Sequence, residues 1–160
     1  MSLSPAQRQR IVEVARSLVG VPYVWGGTTR AGADCSGAVQ IALAEAGLEP
    51  WATQFPRRRR DTCRTMWDQW EPTEAPEPGD VAIYDWGHDG TRDHVVLVTE
   101  VREGVVWEVV GSTRGRPTIT TAAHARAVHA TVVRRGRRNA HMYRVDFVGW
   151  RRPIVTARVG

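Results

Sequence analysis

The chain has 160 residues, the length of one domain with enough interior to fold without disulfide or metal staples. Apolar residues at 42% and charged residues at 24% exclude a disordered chain, and no run reaches the roughly 18 apolar residues of a membrane span. All 22 basic residues are Arg, set against 17 acidic residues, and the formal charge of +5 favours polyanionic surroundings: nucleic acid, anionic cell wall or acidic membrane.

Pro5 to Val19 carries Ile11, Val12, Ala15, Leu18 and Val19 at helical spacing, with Ser4 as N-cap before Pro5. Its start, Met1 to Arg16, is too polar for a secretion signal, so the location is open: cytoplasmic, or exported or phage-delivered by another route. Gly20 to Gly32 is broken by Gly and Pro and reads as an ordered loop. Cys35 to Ala46 describes a mostly buried helix stopped by Gly47. Asp61 to Trp70 predicts a short helix between an Arg run and a Pro-rich stretch. Beyond Pro78-Gly79-Asp80 the composition turns to Val and aromatic residues. Val81–Tyr84, His94–Val101 and Val105–Val110 read as strands, the last two a hairpin near Glu103-Gly104, with Thr118–Thr121 and Tyr143–Trp150 as two more. Helices first and an antiparallel sheet afterwards is an α+β arrangement, expected as one domain over residues 1–160.

Cys35 is the candidate reactive atom, because a thiol at a helix N-terminus meets unpaired amides and a dipole that favour thiolate. Its neighbours Asp34, Ser36 and Gly37 and the upstream Pro22-Tyr23-Val24-Trp25-Gly26-Gly27 suit an exposed, cradled thiol better than a core residue. Cys63 sits in a very different context, and both cysteines read as free thiols. A thiolate nucleophile works with an imidazole that later protonates the leaving amine. His94, opening an apolar strand after a polar turn, is the histidine held on a rigid element.

These residues resemble the NlpC-type cell-wall cysteine peptidases, a papain-like family. The resemblance rests on Pro22 to Gly27, on Asp34-Cys35-Ser36-Gly37 opening a helix, and on Pro78-Gly79-Asp80 followed by His94-Val95, with Val148 to Pro153 similar to the family's last strand. It implies hydrolysis of amide bonds in peptidoglycan stem peptides, commonly after γ-linked D-Glu. Cys35 is then nucleophile, His94 base and Glu108 the third residue that orients the imidazole. Tyr23, Trp25, Asp34 and Ser36 become candidates for substrate binding, no cofactor is required, and oligomeric state stays open. A papain-like acyltransferase and an idle basic module binding wall polymer or nucleic acid are the competing readings.

Register decides whether Glu108 reaches. A tight turn at Glu103-Gly104 sets Arg102 opposite Val105 and His94 opposite Thr113, which leaves Glu108 too far along. A wider loop from Thr99 to Gly104 sets Glu108 opposite Val95, diagonal to His94. The wide loop is the favoured expectation, with Ser112 as the alternative orienter. His88, Asp89, Asp93 and His94 match no zinc spacing, so no metal is expected. The runs Arg57–Arg60 and Arg134–Arg138 lack interleaved aromatics, which makes nucleic acid an unlikely partner and suits a solvated face drawn to anionic wall polymer.

Overall fold

The computed structural model describes residues 2–50, 62–85, 89–112, 120–121 and 147–157. The first helix, α1 (Pro5–Ser17), is closed at its start by a reciprocal capping box. Ser4 Oγ accepts from the Gln7 amide and the Gln7 side chain accepts from the Ser4 amide. It buries Ile11, Val12, Val14 and Ala15 and ends at Leu18, before Gly20 at φ +99°. The following segment is not wholly irregular. It contains a two-residue ladder, β1 (Thr28–Thr29) against β2 (Gly32–Ala33), and leads into α2 (Cys35–Glu45), which buries Ser36 to Val39 and Ile41 to Leu43 and stops before Gly47 at φ +78°.

After β3 (Leu48–Pro50) comes α3 (Cys63–Gln69), capped by Thr62 and burying Cys63 and Met66. The strands that follow are β4 (Glu71–Thr73), β5 (Val81–Tyr84), β6 (His94–Arg102), β7 (Val105–Gly111), β8 (Thr120–Thr121), β9 (Phe147–Arg152) and β10 (Val155–Ala157). Six of them form one antiparallel sheet in the order β4-β9-β5-β6-β7-β8, while β10 pairs with β3.

Strand alternation sorts the sheet's side chains onto two faces. Val81, Ile83, Val95, Leu97 and Val110 face Ile11, Leu18, Val39, Leu43, Met66 and Trp70 from the helices, and this is the main core. Ala82, Tyr84, Val96, Val98, Val106 and Val109 make a second cluster with Phe147 and Trp150. Each fully covered Leu, Ile or Val contributes about 1.5–3 kcal/mol relative to exposure, so α2, apolar on most sides, is pinned between the sheet and α1.

Pro78-Gly79-Asp80 is a clamp in this architecture. The Asp80 carboxylate, fully buried, accepts from Arg8 Nη1 at 3.0 Å, Arg152 Nη2 at 3.1 Å and the Glu77 amide at 2.9 Å. It therefore ties α1 and the end of β9 to the start of β5. The Gly79 amide donates to Val98 O and the Val98 amide to Asp80 O, both at 2.8 Å.

The hairpin between β6 and β7 is tight. Arg102 pairs with Val105, and Glu103 and Gly104 both have positive φ, +51° and +73°, as a two-residue type I′ turn demands. Irregularities near Thr99 and Trp107 offset each other, so Glu108 stands opposite Glu100 and the expected wide loop is corrected.

Candidate active site

The approach to Cys35 is built by one carboxylate. Asp34, in extended conformation as N-cap of α2, accepts at Oδ1 from the Gly37 amide (2.6 Å) and Ser36 Oγ (3.3 Å), and at Oδ2 from the Gly26 amide (3.1 Å). It thus fastens the Gly26-Gly27 turn to the first turn of the helix. At Gly37 any Cβ would overlap the Gly27 carbonyl oxygen and stand 2.9 Å from Asp34 Oδ1, so only glycine lets the loop lie this close.

Cys35 is the first residue of α2 and is partly exposed. Its Sγ lies 3.6 Å from Cys63 Sγ, the first residue of α3, and 3.9 Å from the carbonyl of Asp93. The Cys35 thiol is pushed well below the ordinary thiol range. A hydrogen bond from Cys63 is the largest cause; hydrogen bonding and charge from His94 add to it, and burial opposes it. Cys63 moves the other way, held protonated by the same hydrogen bond, by burial and by the negative charge of Cys35.

His94 opens β6 directly after Asp93 and is almost covered, at 3% exposure. Its ring centroid is 5.6 Å from that of Tyr84, its cross-strand partner on β5. The entering loop is pinned on both sides. Asp85 accepts from the amides of Asp89 and Gly90, while the Arg92 guanidinium lies 4.7 Å from the Trp67 ring of α3. Arg151 on β9 packs 3.5 Å from the same ring and donates from Nε to Trp67 O. Trp67 therefore couples α3, and with it Cys63, to the segment that delivers His94. Nothing in sequence periodicity marks this contact.

Cys35 and His94 are brought together; Glu108 is not. Six residues of β6 at about 3.3 Å each put it roughly 20 Å along the sheet from His94. There its carboxylate accepts from Arg16 Nε and Thr99 Oγ1, both at 2.8 Å. This corrects the expectation that it orients the imidazole. Ser112, the alternative, is buried and donates to Ala33 O at 2.7 Å, locking the end of β7 to the residue before Asp34. Thr113, the residue expected opposite His94 with a tight turn, lies outside the described residues.

Asp34 and Ser36 are both buried and engaged with each other, so they build the turn instead of lining open space. Tyr23 is half-buried and bridges to Ala33 through its backbone, and Trp25 is 78% exposed beside the Gly26 turn. Among the described residues no group of three or more His, Cys, Asp or Glu could hold a metal ion; His88 and both Arg runs lie outside them. No helix among them is long and apolar enough to cross a membrane.

Comparison with known proteins decides the family: the profile described as NlpC/P60 family matches residues 20–142. The chain belongs to the NlpC/P60 family. The matched span of this NlpC/P60 chain takes in Cys35, Cys63, His94 and the loops joining them. Over 75 residues it is 53% identical to "Probable peptidoglycan endopeptidase LytE" of Bacillus subtilis, a stretch that is 47% of this chain and 20% of LytE. Over 41 residues it is 46% identical to a "Probable endopeptidase" of Mycobacterium tuberculosis, covering 26% of this chain and 11% of that protein. It thus spans a fifth or less of the length of these curated relatives. Among solved structures, NlpC2 from Trichomonas vaginalis matches with a TM-score of 0.65 at 14% identity, over 98% of this chain and 50% of that one. An NlpC/P60 family protein from Bacillus cereus gives 0.62 at 18% identity, over 95% and 41%. At these identities the likeness shows the shared α+β fold alone.

Proposed function

We propose that this NlpC/P60 chain is a cysteine peptidase that cleaves an amide bond in peptidoglycan stem peptides, between γ-D-glutamyl and the following diamino acid. Membership of the family and the similarity to proteins named as peptidoglycan endopeptidases support the substrate class. The observation that carries the chemistry is Cys35 Sγ at the head of α2, 3.6 Å from Cys63 Sγ, with its thiol drawn well below the ordinary range by Cys63 first and His94 next.

In this reading the Cys35 thiolate attacks the scissile carbonyl, and the amides of Cys35 and Ser36, heading the helix, meet the developing oxyanion. His94 donates a proton to the departing amine, giving an acyl-enzyme on Sγ. It then takes a proton from water, whose oxygen displaces the thiolate. Asp34 holds the Gly26 turn against α2, and Tyr23 and Trp25, on that turn's approach, bind the peptide through packing and the phenol. A net charge of +5 favours an anionic wall polymer.

Digestion of purified muropeptides with the wild type and Cys35→Ala, followed by mass spectrometry, tests this. Wild type should yield products with water added across one stem-peptide bond, and Cys35→Ala none. Uncleaved muropeptides with both proteins, or transfer of the acyl group to an amine in place of water, would overturn it.

A further inference from the structure

We propose that Cys35 and Cys63 are an oxidative modification site, where a hydroperoxide drives a reversible disulfide that caps the nucleophile. That capping inactivates the protein rests on the reading of Cys35 as nucleophile; the disulfide itself does not.

The two residues are the first of α2 and of α3, and their sulfurs are 3.6 Å apart, about 1.5 Å beyond a disulfide bond length of roughly 2.05 Å. Their environments divide the labour of a peroxide reaction. Cys35 is partly exposed, stands at a helix N-terminus and has its thiol drawn below the ordinary range, which favours the thiolate, the form that attacks an O–O bond. Cys63 is 6% exposed and protonated, shielded from bulk oxidant but in contact with the first sulfur. In the catalytic reading Cys63 donates a hydrogen bond to the Cys35 sulfur, which a serine hydroxyl could also do; only a thiol at this position can close a disulfide on that sulfur.

The steps balance. The Cys35 thiolate attacks the distal peroxide oxygen, the O–O bond breaks, and sulfenic acid forms while the alkoxide or hydroxide leaving group takes a proton. The Cys63 sulfur then attacks the sulfenic sulfur. The S–S bond forms, the S–O bond breaks, and the Cys63 proton leaves with the hydroxyl as water. Sulfur has lost two electrons in total to the peroxide. A dithiol reverses the reaction by two exchanges. Without the second thiol, sulfenic acid proceeds under further peroxide to sulfinic and sulfonic acids, which thiols do not reduce.

The test treats wild type and Cys63→Ser with hydrogen peroxide, then splits each sample for non-reducing tryptic mass mapping and muropeptide digestion before and after dithiothreitol. In wild type the peptides Ala31–Arg57 and Asp61–Arg64 should appear linked, two hydrogens lighter than their sum, with cleavage lost and then restored by the reductant. In Cys63→Ser the loss should persist after reductant, with two or three oxygens on Cys35. Cys63→Ala replaces the serine variant if the latter does not fold; each variant's loss and recovery are read against its own cleavage before peroxide, and the oxygens on Cys35 are read by mass whatever that basal activity is. Direct passage of wild-type Cys35 to sulfinic acid without the linked peptide, or equal recovery in variant and wild type, would overturn the proposal. A linked peptide in a protein that never cleaves muropeptides would support the modification site and overturn the peptidase reading instead.

Discussion

Replacing Asp80 by Ala removes the acceptor at which α1, β5 and β9 meet. The side chain is fully buried, and its loss leaves Arg8, 11% exposed, and Arg152, 22% exposed, without their shared carboxylate. It also strands the Glu77 amide, which donates to it at 2.9 Å. Breaking one side of a buried ion pair costs about 3–5 kcal/mol, because the surviving charge stays desolvated. Here Glu77 still accepts from both guanidinia, at 3.3 and 3.0 Å, and Arg8 still donates to Pro78 O, which argues for the lower end, about 3 kcal/mol. For a chain of this size each kcal/mol shifts the midpoint by about 2–4 °C, so thermal unfolding followed by circular dichroism should move down by roughly 6–12 °C. Glu77→Ala, which removes a half-exposed carboxylate, should cost about 1 kcal/mol or less. A shift for Asp80→Ala no larger than that for Glu77→Ala would refute the view that this motif is a structural clamp.

Gly37→Ala forces the helix start away from the Gly27 carbonyl, so muropeptide cleavage should fall by well over tenfold even in molecules that remain folded, as judged by circular dichroism. Glu108→Gln should leave the rate of cleavage within about twofold, since the carboxylate serves Arg16 and Thr99; a loss of a hundredfold would return it to the active site. Ser112→Ala removes the bond to Ala33 O, which also accepts from the Val24 amide, and should lower stability by about 0.5–1.5 kcal/mol in urea titration. Trp67→Ala frees Arg92 and Arg151 together and should slow cleavage and lower the melting temperature in parallel.

The elements legible in the sequence are those with enough length to show a period. α1, α2 and β5 to β7 carry apolar residues at helical or alternating spacing, and Ser4, Gly47 and Pro5 mark their limits. The ladders β1–β2 and β3–β10 and the strand β4 run for two or three residues each, too short for a pattern, and exist because distant segments meet. Cys35 was legible from its place after Asp34 at a helix start. Its contact with Cys63 was not, because the docking of α3 beside α2 is set by Met66, Trp67 and Trp70, which read only as generic apolar residues. The register of Glu108 turned on Glu103 adopting φ +51°, a conformation that a glutamate does not announce and that the tight turn imposes.

The ionisation of Cys35 is open to direct measurement: the iodoacetamide alkylation rate of each cysteine, resolved by peptide mass, from acid to alkaline pH in wild type and His94→Ala. Because the folded thiol is lowered, by the hydrogen bond from Cys63 first and by His94 next, its thiolate persists as pH falls and is lost only below the ordinary range near ~8.5. Cys35 should therefore reach its full rate at a lower pH than an ordinary thiol, Cys63 should lag throughout, and His94→Ala should move the Cys35 profile toward alkaline pH. Two cysteines rising together through the ordinary thiol range, with no response to the loss of His94, would contradict the account.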